Sequence, residues 1–486
     1  MSKPREMSLQ EEADAATDEE ANAETPPGSP GGKQPSPAEQ AASKAAYEAR
    51  VNRAKQNVGK LDLKNLALEA ELPKGDHQLT HREDNLVHTP RAADEKTVLT
   101  VRGAPKHKGR LLMQIGPEVL GSGKVFCAWQ PGGQRLAVAS WHDGKTEVHC
   151  FTRSGQAVAS YELCDSKPLW TGWDCNGEVV AVRTEAAGIF LWEVGLVSNP
   201  SPPLHLAPAH TSKATFCKWS KLCPQLAIGT SDGKVILYNR LDAVLQLHER
   251  KGTLREEVTC GDWLFDNRLA LASGQRVKIS QPIAETKAKW ESFSKFKLSG
   301  LGSKIPKHIQ ESGAPAALAF TLGYPPFVAV TLGGKYLLVF DSTRKAEDIG
   351  LTFPPDYGYI CAFEWLPGNM LLVALSNGYI VTVDFAALLR MQQGGKLPPK
   401  VAAMATNRLF NEYITSMDTT PDQKIVCCGD AVIKIVRNSG VDLEVFAEIP
   451  LDRKPVIGEC LHSVSWDSEG SAFACASTDG YVYVYA

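Results

Sequence analysis

Tryptophan recurs in this chain at an almost constant interval, and this period limits the possible folds more than any other feature. Six residues share it: Trp129, Trp173, Trp219, Trp263, Trp365 and Trp466. The first four are separated by 44, 46 and 44 residues, and the last two follow after 102 and 101, which is two intervals each. The segments 318–320 and 415–418 stand where the two missing members belong. A fixed period of this length is typical of a repeat architecture.

Each repeat unit has the same internal order. An apolar strand ends near the tryptophan and is followed by a polar turn, a strand of small residues such as 136–139, and a tight turn such as Asp232-Gly233. A third strand, for example 235–238, completes the pattern. Asp-Gly and Asn-Gly pairs tolerate positive φ and suit hairpins. The unit is typical of one blade of a β-propeller.

The repeats therefore predict an all-β fold, a WD-repeat β-propeller of four-stranded blades. Eight units lie between Val125 and Ala486, and seven blades plus one extra unit is the alternative count. The last unit stops after its third strand, whereas Leu111–Ile115 precedes the first unit as an apolar strand without a partner. We expect this strand to become the outer strand of the last blade and to close the ring, because an unpaired strand edge invites aggregation.

The first 105 residues differ in composition from the rest. The segment from Met1 to Glu24 has eight acidic residues against two basic ones, and Pro- and Gly-rich stretches follow it. Such a segment buries too little apolar surface to offset the entropy lost on ordering. We therefore expect a disordered tail over 1–105, with a transient helix at 41–60, and the propeller over 106–486. The polar, acidic start predicts no signal peptide.

Charge and cysteine usage indicate the surroundings of the protein. The formal net charge is −3, which gives no strong field for nucleic acid or an anionic membrane, and we expect neither as a partner. The twelve cysteines are scattered, and several lie in apolar strands as in Phe126-Cys127-Ala128-Trp129. This pattern predicts reduced thiols and a cytosolic or nuclear location. No apolar run is long enough for a transmembrane helix.

No catalytic motif is present in the sequence. The stretch 116–124 ends in Gly-Ser-Gly-Lys, but the spacing of a phosphate-binding loop would need Gly at Glu118 and Ser or Thr at Val125. His77, His81 and His88 are interpreted as part of a polar linker, because a metal site needs further ligands held rigidly. The pair Cys427-Cys428 lies on an apolar strand and is interpreted as structural. We therefore predict a protein that is not an enzyme, with no catalytic, metal or cofactor-binding residue.

One insertion between the fourth and fifth units combines basic and aromatic residues. Its members are Lys287, Lys289, Lys295, Lys297, Lys304 and Lys307, interleaved with Trp290, Phe293 and Phe296. Such a pattern can bind single-stranded nucleic acid or lipid head groups. The preferred interpretation is an outer strand and a connecting loop, with lysines protecting an exposed edge.

Several strings resemble the N-terminal propeller of the WD repeat-containing protein 19 family, which contains a subunit of intraflagellar transport complex A. They include 126–130 in unit one, 226–230 and 237–239 in unit three, 259–263 and 269–271 in unit four, and 414–416 and 428–435 in unit seven. Unit five lacks its tryptophan, and Asp418 is assigned to that position in unit seven. The family normally continues into a second propeller and helical repeats, which do not occur within these 486 residues.

The resemblance implies a non-catalytic scaffold subunit that acts in retrograde intraciliary transport and cilium assembly. It implies location in the cytoplasm, the cilium or flagellum and the basal body, in association with the cytoskeleton. The implied partners are other complex subunits and ciliary membrane cargo adaptors, which would contact the propeller. The alternative is a general cytosolic WD-repeat adaptor in another complex, such as a vesicle coat or RNA-processing machinery. The sequence does not identify the residues of the contact surface.

Overall fold

The computed structural model describes most of the propeller region and three short segments before it. The described residues are 75–78, 86–88, 98–100, 109–194, 202–206, 208–240, 244–247, 254, 256–264, 266–283, 286–298, 315–321, 326–342, 348–392, 403–420, 422–430, 432–439, 442–450 and 461–486. The first four strands are β1 (Gly75–Gln78), β2 (Leu86–His88), β3 (Val98–Thr100) and β4 (Leu111–Ile115). The expected helix at 41–60 and most of the expected tail lie outside the described residues.

The described strands form eight sheets, each built on four antiparallel strands, and each sheet is one blade. The strands of each blade are given from the channel outward. Blade 1 contains β5 (Phe126–Trp129), β6 (Arg135–His142), β7 (Lys145–Thr152) and β8 (Ala157–Cys164), and blade 2 contains β9 (Pro168–Trp173), β10 (Val179–Thr184), β11 (Ile189–Glu193) and β12 (Leu204–Leu206). Blade 3 contains β13 (Ala214–Trp219), β14 (Gln225–Thr230), β15 (Val235–Asn239) and β16 (Val244–Leu247), and blade 4 contains β17 (Val258–Trp263), β18 (Leu269–Ser273), β19 (Arg276–Ile283) and β20 (Thr286–Lys297).

The second half of the ring repeats this plan. Blade 5 contains β21 (Pro315–Phe320), β22 (Phe327–Leu332), β23 (Tyr336–Asp341) and β24 (Asp348–Thr352), and blade 6 contains β25 (Ile360–Leu366), β26 (Met370–Leu375), β27 (Tyr379–Asp384) and β28 (Met404–Arg408). Blade 7 contains β29 (Ser416–Thr419), β30 (Lys424–Gly429), β31 (Val432–Ser439) and β32 (Asp442–Pro450), and blade 8 contains β33 (Leu461–Trp466), β34 (Phe473–Ser477), β35 (Val482–Tyr485) and β4. The prediction of eight blades is confirmed, and the alternative of seven blades plus one unit is wrong.

Ring closure follows the expected route. Strand β4 pairs with β35 in antiparallel register, with Ile115 opposite Val482 and Met113 opposite Val484. The backbone groups of Arg110 and Ala486 extend this ladder by exchanging two hydrogen bonds of 3.0 and 3.1 Å. The outer strand of blade 8 therefore comes from the N-terminal side of blade 1, so that both unpaired edges are satisfied.

The hydrophobic core lies between the blades. Eight clusters of buried apolar residues occur in the described part of the chain, one for each pair of neighbouring blades. The cluster between blades 8 and 1, for example, joins Ala474 and Val484 to Leu136 and Val138. The second strand of each blade is covered on both faces, which explains why these strands are almost continuously apolar in the sequence.

Three strands from the N-terminal side of the predicted boundary at residue 106 add to this ring. Strands β1, β2 and β3 pair in parallel with the outer strands β20, β24 and β28, and so give blades 4, 5 and 6 a fifth strand. The backbone carbonyl of Val87 in β2 also accepts a 3.4 Å hydrogen bond from the Thr352 hydroxyl. We name these three strands the strap.

The tryptophans occupy equivalent positions, and the expected register is wrong in one blade. Each lies at or next to the last residue of the first strand of its blade, as Trp129 does where it pairs with Leu136. Phe320 takes this position in blade 5. In blade 7 the position belongs to Thr419, which pairs with Ile425, and not to Asp418 as assigned from the sequence. Five of the six tryptophans are at most 9% exposed, whereas Trp466 is only half-buried.

The basic and aromatic residues from Lys287 to Lys297 lie in strand β20, the fourth strand of its blade, as expected. The edge at residues 294–297 is not exposed, because it pairs with β1. Trp290, Phe293 and Phe296 are buried, and the Trp290 ring packs edge-on against Trp263 with 5.8 Å between ring centroids. These rings are therefore not available to stack on bases, because they form the outer core of blade 4. Lys304 and Lys307 lie outside the described residues.

The stretch that partly resembles a phosphate loop contains only a four-residue helix, α1 (Pro117–Leu120). The other described α-helices are α2 (Pro208–Thr211) and α3 (Phe385–Gln392), and a 3-10 turn covers Pro355–Tyr357. Within the part of the chain that is described, no helix combines the length and hydropathy needed to cross a bilayer.

Candidate functional site in the central channel

The first strands of the blades line the central channel, and one position in them carries most of the charge. This is the residue immediately before the tryptophan position, which we name the channel position. Its occupants, from blade 1 to blade 8, are Ala128, Gly172, Lys218, Asp262, Ala319, Glu364, Asp418 and Ser465. Four of the eight are charged, and they come from blades 3, 4, 6 and 7. The other four blades, 1, 2, 5 and 8, contribute small side chains.

Two of the channel carboxylates bind the backbone of the next blade. Oδ2 of Asp262 in blade 4 accepts a 3.1 Å hydrogen bond from the backbone N–H of Phe320 in blade 5. Oδ2 of Asp418 in blade 7 accepts a 2.6 Å hydrogen bond from the backbone N–H of Trp466 in blade 8. Both donors are at the tryptophan position of the following blade. These carboxylates therefore stabilise contacts between blades at the wall of the channel.

Lys218 and Asp262 form an ion pair across the junction of blades 3 and 4. Nζ of Lys218 lies 2.7 Å from Oδ1 of Asp262, whose side chain is 7% exposed. Desolvation by itself lowers the pKa of Lys218, but the hydrogen bond and charge of Asp262 outweigh it, so the net shift of this pKa is upward. Lys218 is therefore a permanent cation at neutral pH.

Glu364 differs from the other channel carboxyls because it has no fixed partner. Among the described residues, its side chain makes no hydrogen bond or ion pair with a protein group, although it lies in the same cavity as Lys218 and Lys221. Burial, followed by the charge of Asp418, raises the pKa of Glu364 to about 8. Burial also raises the pKa of Asp418 to about 6. The Glu364 carboxyl therefore keeps its proton to higher pH than an exposed glutamate does.

A cavity of about 420 Å³ opens beside this carboxyl. Its wall runs along the first strands of blades 5 and 6, from Ala316 to Phe320 and from Ile360 to Trp365. Blade 5 contributes three alanines to the lining, of which Ala316 is exposed and Ala317 and Ala319 are half-buried. The lining also includes the side chains of Lys218, Lys221, Asp262 and Glu364.

The chemistry available in the cavity is electrostatic and not nucleophilic. Cys361 is the thiol on its wall, and burial raises the pKa of Cys361 to about 12, so the thiolate is scarce at neutral pH. No group of three potential metal ligands occurs in the described ranges. The cavity thus offers the ion pair of Lys218 and Asp262, the exposed Lys221, and the Glu364 carboxyl.

The sequence-based search missed this site and assigned no binding residue. The signal that could have found it is the repeat itself, since Lys218, Asp262 and Glu364 all directly precede a tryptophan. The residues that were singled out have other places. Cys427 and Cys428 are fully buried in strand β30 of blade 7. His77 and His88 lie on strap strands β1 and β2, and His81 lies outside the described residues.

Comparison with known proteins decides the family. The sequence profile described as the WDR19 first beta-propeller matches residues 125–480, which is most of the chain. This chain belongs to the WDR19 first-propeller family. Human WD repeat-containing protein 19 is 25% identical over 365 residues, which cover 74% of this chain and 24% of the relative. WD repeat-containing protein dyf-2 of Caenorhabditis elegans is 23% identical over 337 residues, 67% of this chain and 22% of the relative.

The chain thus spans about a quarter of the length of these curated relatives. Solved propellers share the fold of this WDR19-type ring at lower identity. The C-terminal WD40 domain of Sif2 aligns with a TM-score of 0.53 at 14% identity, covering 79% of this chain and 99% of that one. Saccharomyces cerevisiae Sqt1 aligns with a TM-score of 0.57 at 11% identity, covering 78% and 99%.

Proposed function

We propose that this protein is a non-catalytic scaffold subunit of an intraflagellar transport complex A-like assembly, acting in retrograde intraciliary transport and cilium assembly. The observation that carries the proposal is the family match over residues 125–480, which covers the repeats of the ring in order. The proposed location is the cytoplasm, the cilium or flagellum and the basal body. The proposed partners are other subunits of the complex and adaptors for ciliary membrane cargo.

The physical basis of such a role is a rigid ring that presents loops and outer strands to partners. Buried apolar clusters between all neighbouring blades fix the blades relative to one another. A rigid ring loses little conformational entropy when it binds, which favours association through many small contacts. Because its pKa is raised, the Cys361 thiol is a poor nucleophile at neutral pH. Lys218 is ion-paired with Asp262 and does not offer a free amine for catalysis.

The proposal is tested by affinity purification of the full chain from ciliated cells, followed by identification of the co-purifying proteins. The comparison chain lacks residues 1–118 and therefore β4, the outer strand of blade 8, so it reports whether binding requires the closed ring. We expect subunits of the transport complex with the full chain, and their loss with the comparison chain. Co-purification of a vesicle-coat or RNA-processing assembly in their place would contradict the proposal, as would absence of the tagged chain from cilia.

A further inference from the structure

Most outer strands of the ring have a protected edge. Strands β20, β24 and β28 pair with the strap. Strand β12 has three residues and follows Pro202 and Pro203, and β16 has four residues. Strand β32 is longer, but it carries three acidic residues and ends in Pro450. Strand pairing, short length, charge and proline are common means of preventing an open edge from binding another strand.

Strand β8, the outer strand of blade 1, lacks these protections. It has eight residues, contains no proline, lysine or arginine, and pairs only with β7 among the described strands. Its one charged residue, Glu162, forms an ion pair with Lys145 of β7. The pairing with β7 is regular over residues 159–162 and shifts register on either side of this stretch. The open edge of blade 1 is therefore a short, regular and nearly uncharged stretch.

The register shows which backbone groups of this stretch point outward. The backbone N–H of Arg153 donates to the carbonyl of Gln134, so odd-numbered residues of β7 bond to β6 and even-numbered ones to β8. Ser160 and Glu162 lie opposite odd-numbered residues of β7. Their backbone N–H and C=O groups therefore point away from β7, toward the open edge of the blade.

Another blade of the same ring shows what such a stretch binds. Strand β20 pairs regularly with β19 over residues 294–297, next to a register shift, and β1 adds in parallel to these same residues. Strands β24 and β28 accept the other strap strands over residues 350–352 and 406–408. A regular stretch as long as that in β8 is thus long enough to receive a further strand in this ring.

Exposed apolar side chains concentrate on the same side of the ring. Of the seven large apolar side chains that are exposed in the described part of the chain, three lie on outer strands: Leu111 on β4, Val158 on β8 and Leu204 on β12. These strands belong to the neighbouring blades 8, 1 and 2. The turn before β8 packs against β4, because a Cβ at Gly155 would lie 2.9 Å from Cγ of Met113. Apolar side chains exposed on neighbouring elements are typical of a surface that binds another protein.

We propose that the outer edge of β8 at residues 159–162 is a docking site for an extended segment of a partner protein, which adds to blade 1 as a fifth strand. The strap determines the kind of occupant, because the ring receives extended segments at this same position of three other blades. Strand addition gains affinity from backbone hydrogen bonds and specificity from alternate side chains. The proposal does not rest on membership of a transport complex.

The side chains of β8 specify the segment further. Ala159 and Tyr161 pack against the core cluster between blades 1 and 2, whereas Ser160 and Glu162 are exposed. A fifth strand continues both faces of the sheet with a period of two residues. The matching segment is therefore apolar at the alternate positions that extend the face of Ala159 and Tyr161. It is also free of proline, since pairing requires its N–H groups.

The experiment titrates the full chain into a fluorescently labelled peptide with the sequence of residues 96–102, Lys-Thr-Val-Leu-Thr-Val-Arg. This peptide contains β3, a segment that adds to an outer strand of this ring. Fluorescence anisotropy measures the affinity, and hydrogen exchange locates the site. We expect saturable binding and slower exchange of the amides of Ser160 and Glu162.

Two substitutions at one position test the role of the backbone. Ser160→Pro removes an outward N–H and keeps the pairing with β7, because an edge strand tolerates proline where the N–H faces solvent. This variant should weaken peptide binding about tenfold. Ser160→Ala is the matched control, since it keeps the N–H, and it should bind as the wild type does. Circular dichroism verifies the fold of both variants.

Two peptide analogues test strand pairing without any change in the protein. Each is N-methylated at alternate amides, one at the first row of N–H groups and the other at the second. A paired peptide directs only one row at β8, so one analogue should lose binding and the other should retain it.

Several results would overturn the site: no binding by the wild-type chain, equal binding of both analogues, undiminished binding by a folded Ser160→Pro variant, or slower exchange at β28 without any change at β8. Sedimentation tests a second copy of this chain as the occupant. A dimer of the wild type that dissociates in Ser160→Pro would overturn the assignment to a partner protein.

Discussion

The indole Nε1 of Trp129 in blade 1 donates a 3.0 Å hydrogen bond to the backbone carbonyl of Ser465 in blade 8, 336 positions later in the chain. The same bond links successive blades. Trp173 donates to Ala128 at 2.9 Å, and Trp219 donates to Gly172 at 3.1 Å. Trp263 continues the series to Lys218 at 3.0 Å. Each acceptor is the backbone carbonyl at the channel position of the preceding blade. The same tryptophan-to-carbonyl hydrogen bond therefore joins the five consecutive blades 8, 1, 2, 3 and 4.

The first prediction separates this hydrogen bond from ring packing. Trp129→Phe keeps a buried ring but removes the donor and leaves the Ser465 carbonyl without its partner. Trp365→Phe is the matched control, because Nε1 of Trp365 has no hydrogen-bond partner in the described structure. We expect Trp129→Phe to destabilise the protein by about 1–3 kcal/mol more than Trp365→Phe. Denaturant unfolding measures the difference, and equal losses would show that the bond adds nothing to packing.

The second prediction concerns closure between β4 and β35. Cysteines at positions 113 and 484, which face each other in the register, should form a disulfide on oxidation and raise the melting temperature. Deletion of residues 1–118 should give an open, aggregation-prone ring, whereas deletion of 1–108 should leave a soluble monomer. Light scattering and thermal unfolding compare the two deletions. If the longer deletion is as stable and monomeric as the shorter one, this pairing does not close the ring.

The third prediction concerns the strap. Deletion of residues 1–105 removes β1, β2 and β3 but leaves every four-stranded blade intact, so we expect the ring to fold without them. The outer edges of β20, β24 and β28 lose their partners, and hydrogen exchange of their edge amides should become faster. Strand β16 of blade 3, which has no strap partner in the described structure, is the internal control. Unchanged exchange at all three edges would show that the strap does not pair in solution.

The fourth prediction follows from the raised pKa of Glu364. Its pKa in the folded state is about 8, above the ordinary value of 4.5, so the folded chain binds more protons than the unfolded chain between these values. Stability therefore falls as pH rises from about 4.5 to 8, because the carboxyl must ionise in a buried site. Glu364→Gln should leave the melting temperature at pH 4 unchanged and raise it at pH 9.

The control for this experiment is Glu412→Gln, which alters an exposed carboxyl and should not change the pH profile. Lys218, Lys221, Asp262 and Asp418 lie near Glu364 and are present in both variants, so the two variants differ only in which carboxyl is replaced. A Glu364→Gln profile parallel to that of the wild type would show that this group does not carry the dependence.

The architecture could be predicted from the sequence because the same order of strands and turns recurs in each repeat unit. The tryptophan spacing, the paired turns and the unpartnered strand at 111–115 predicted eight blades and the route of closure. One error of register remained, in blade 7, where the unit departs from the pattern. In blade 7, Thr419 occupies the tryptophan position, and only the pairing of Thr419 with Ile425 distinguishes it from Asp418.

The strap was not predictable because its strands carry no repeat pattern. The segments 75–78, 86–88 and 98–100 are short and partly polar, and they pair through backbone groups with edges that other parts of the chain provide. Backbone hydrogen bonds are nearly independent of side-chain identity, so the sequence of such a segment does not reveal its partner.

The sequence by itself predicted eight blades, with seven as the alternative, and indicated the family, because both depend on periodic apolar residues within each unit. The tertiary structure alone decided which charges meet. Lys218, Asp262, Glu364 and Asp418 are spread over 201 positions of the chain, counting both ends, and come together only because the ring brings their strands to one channel. The raised pKa values of Lys218, Glu364 and Asp418 arise from burial and mutual distance, which are properties of the folded ring and not of any local stretch of residues.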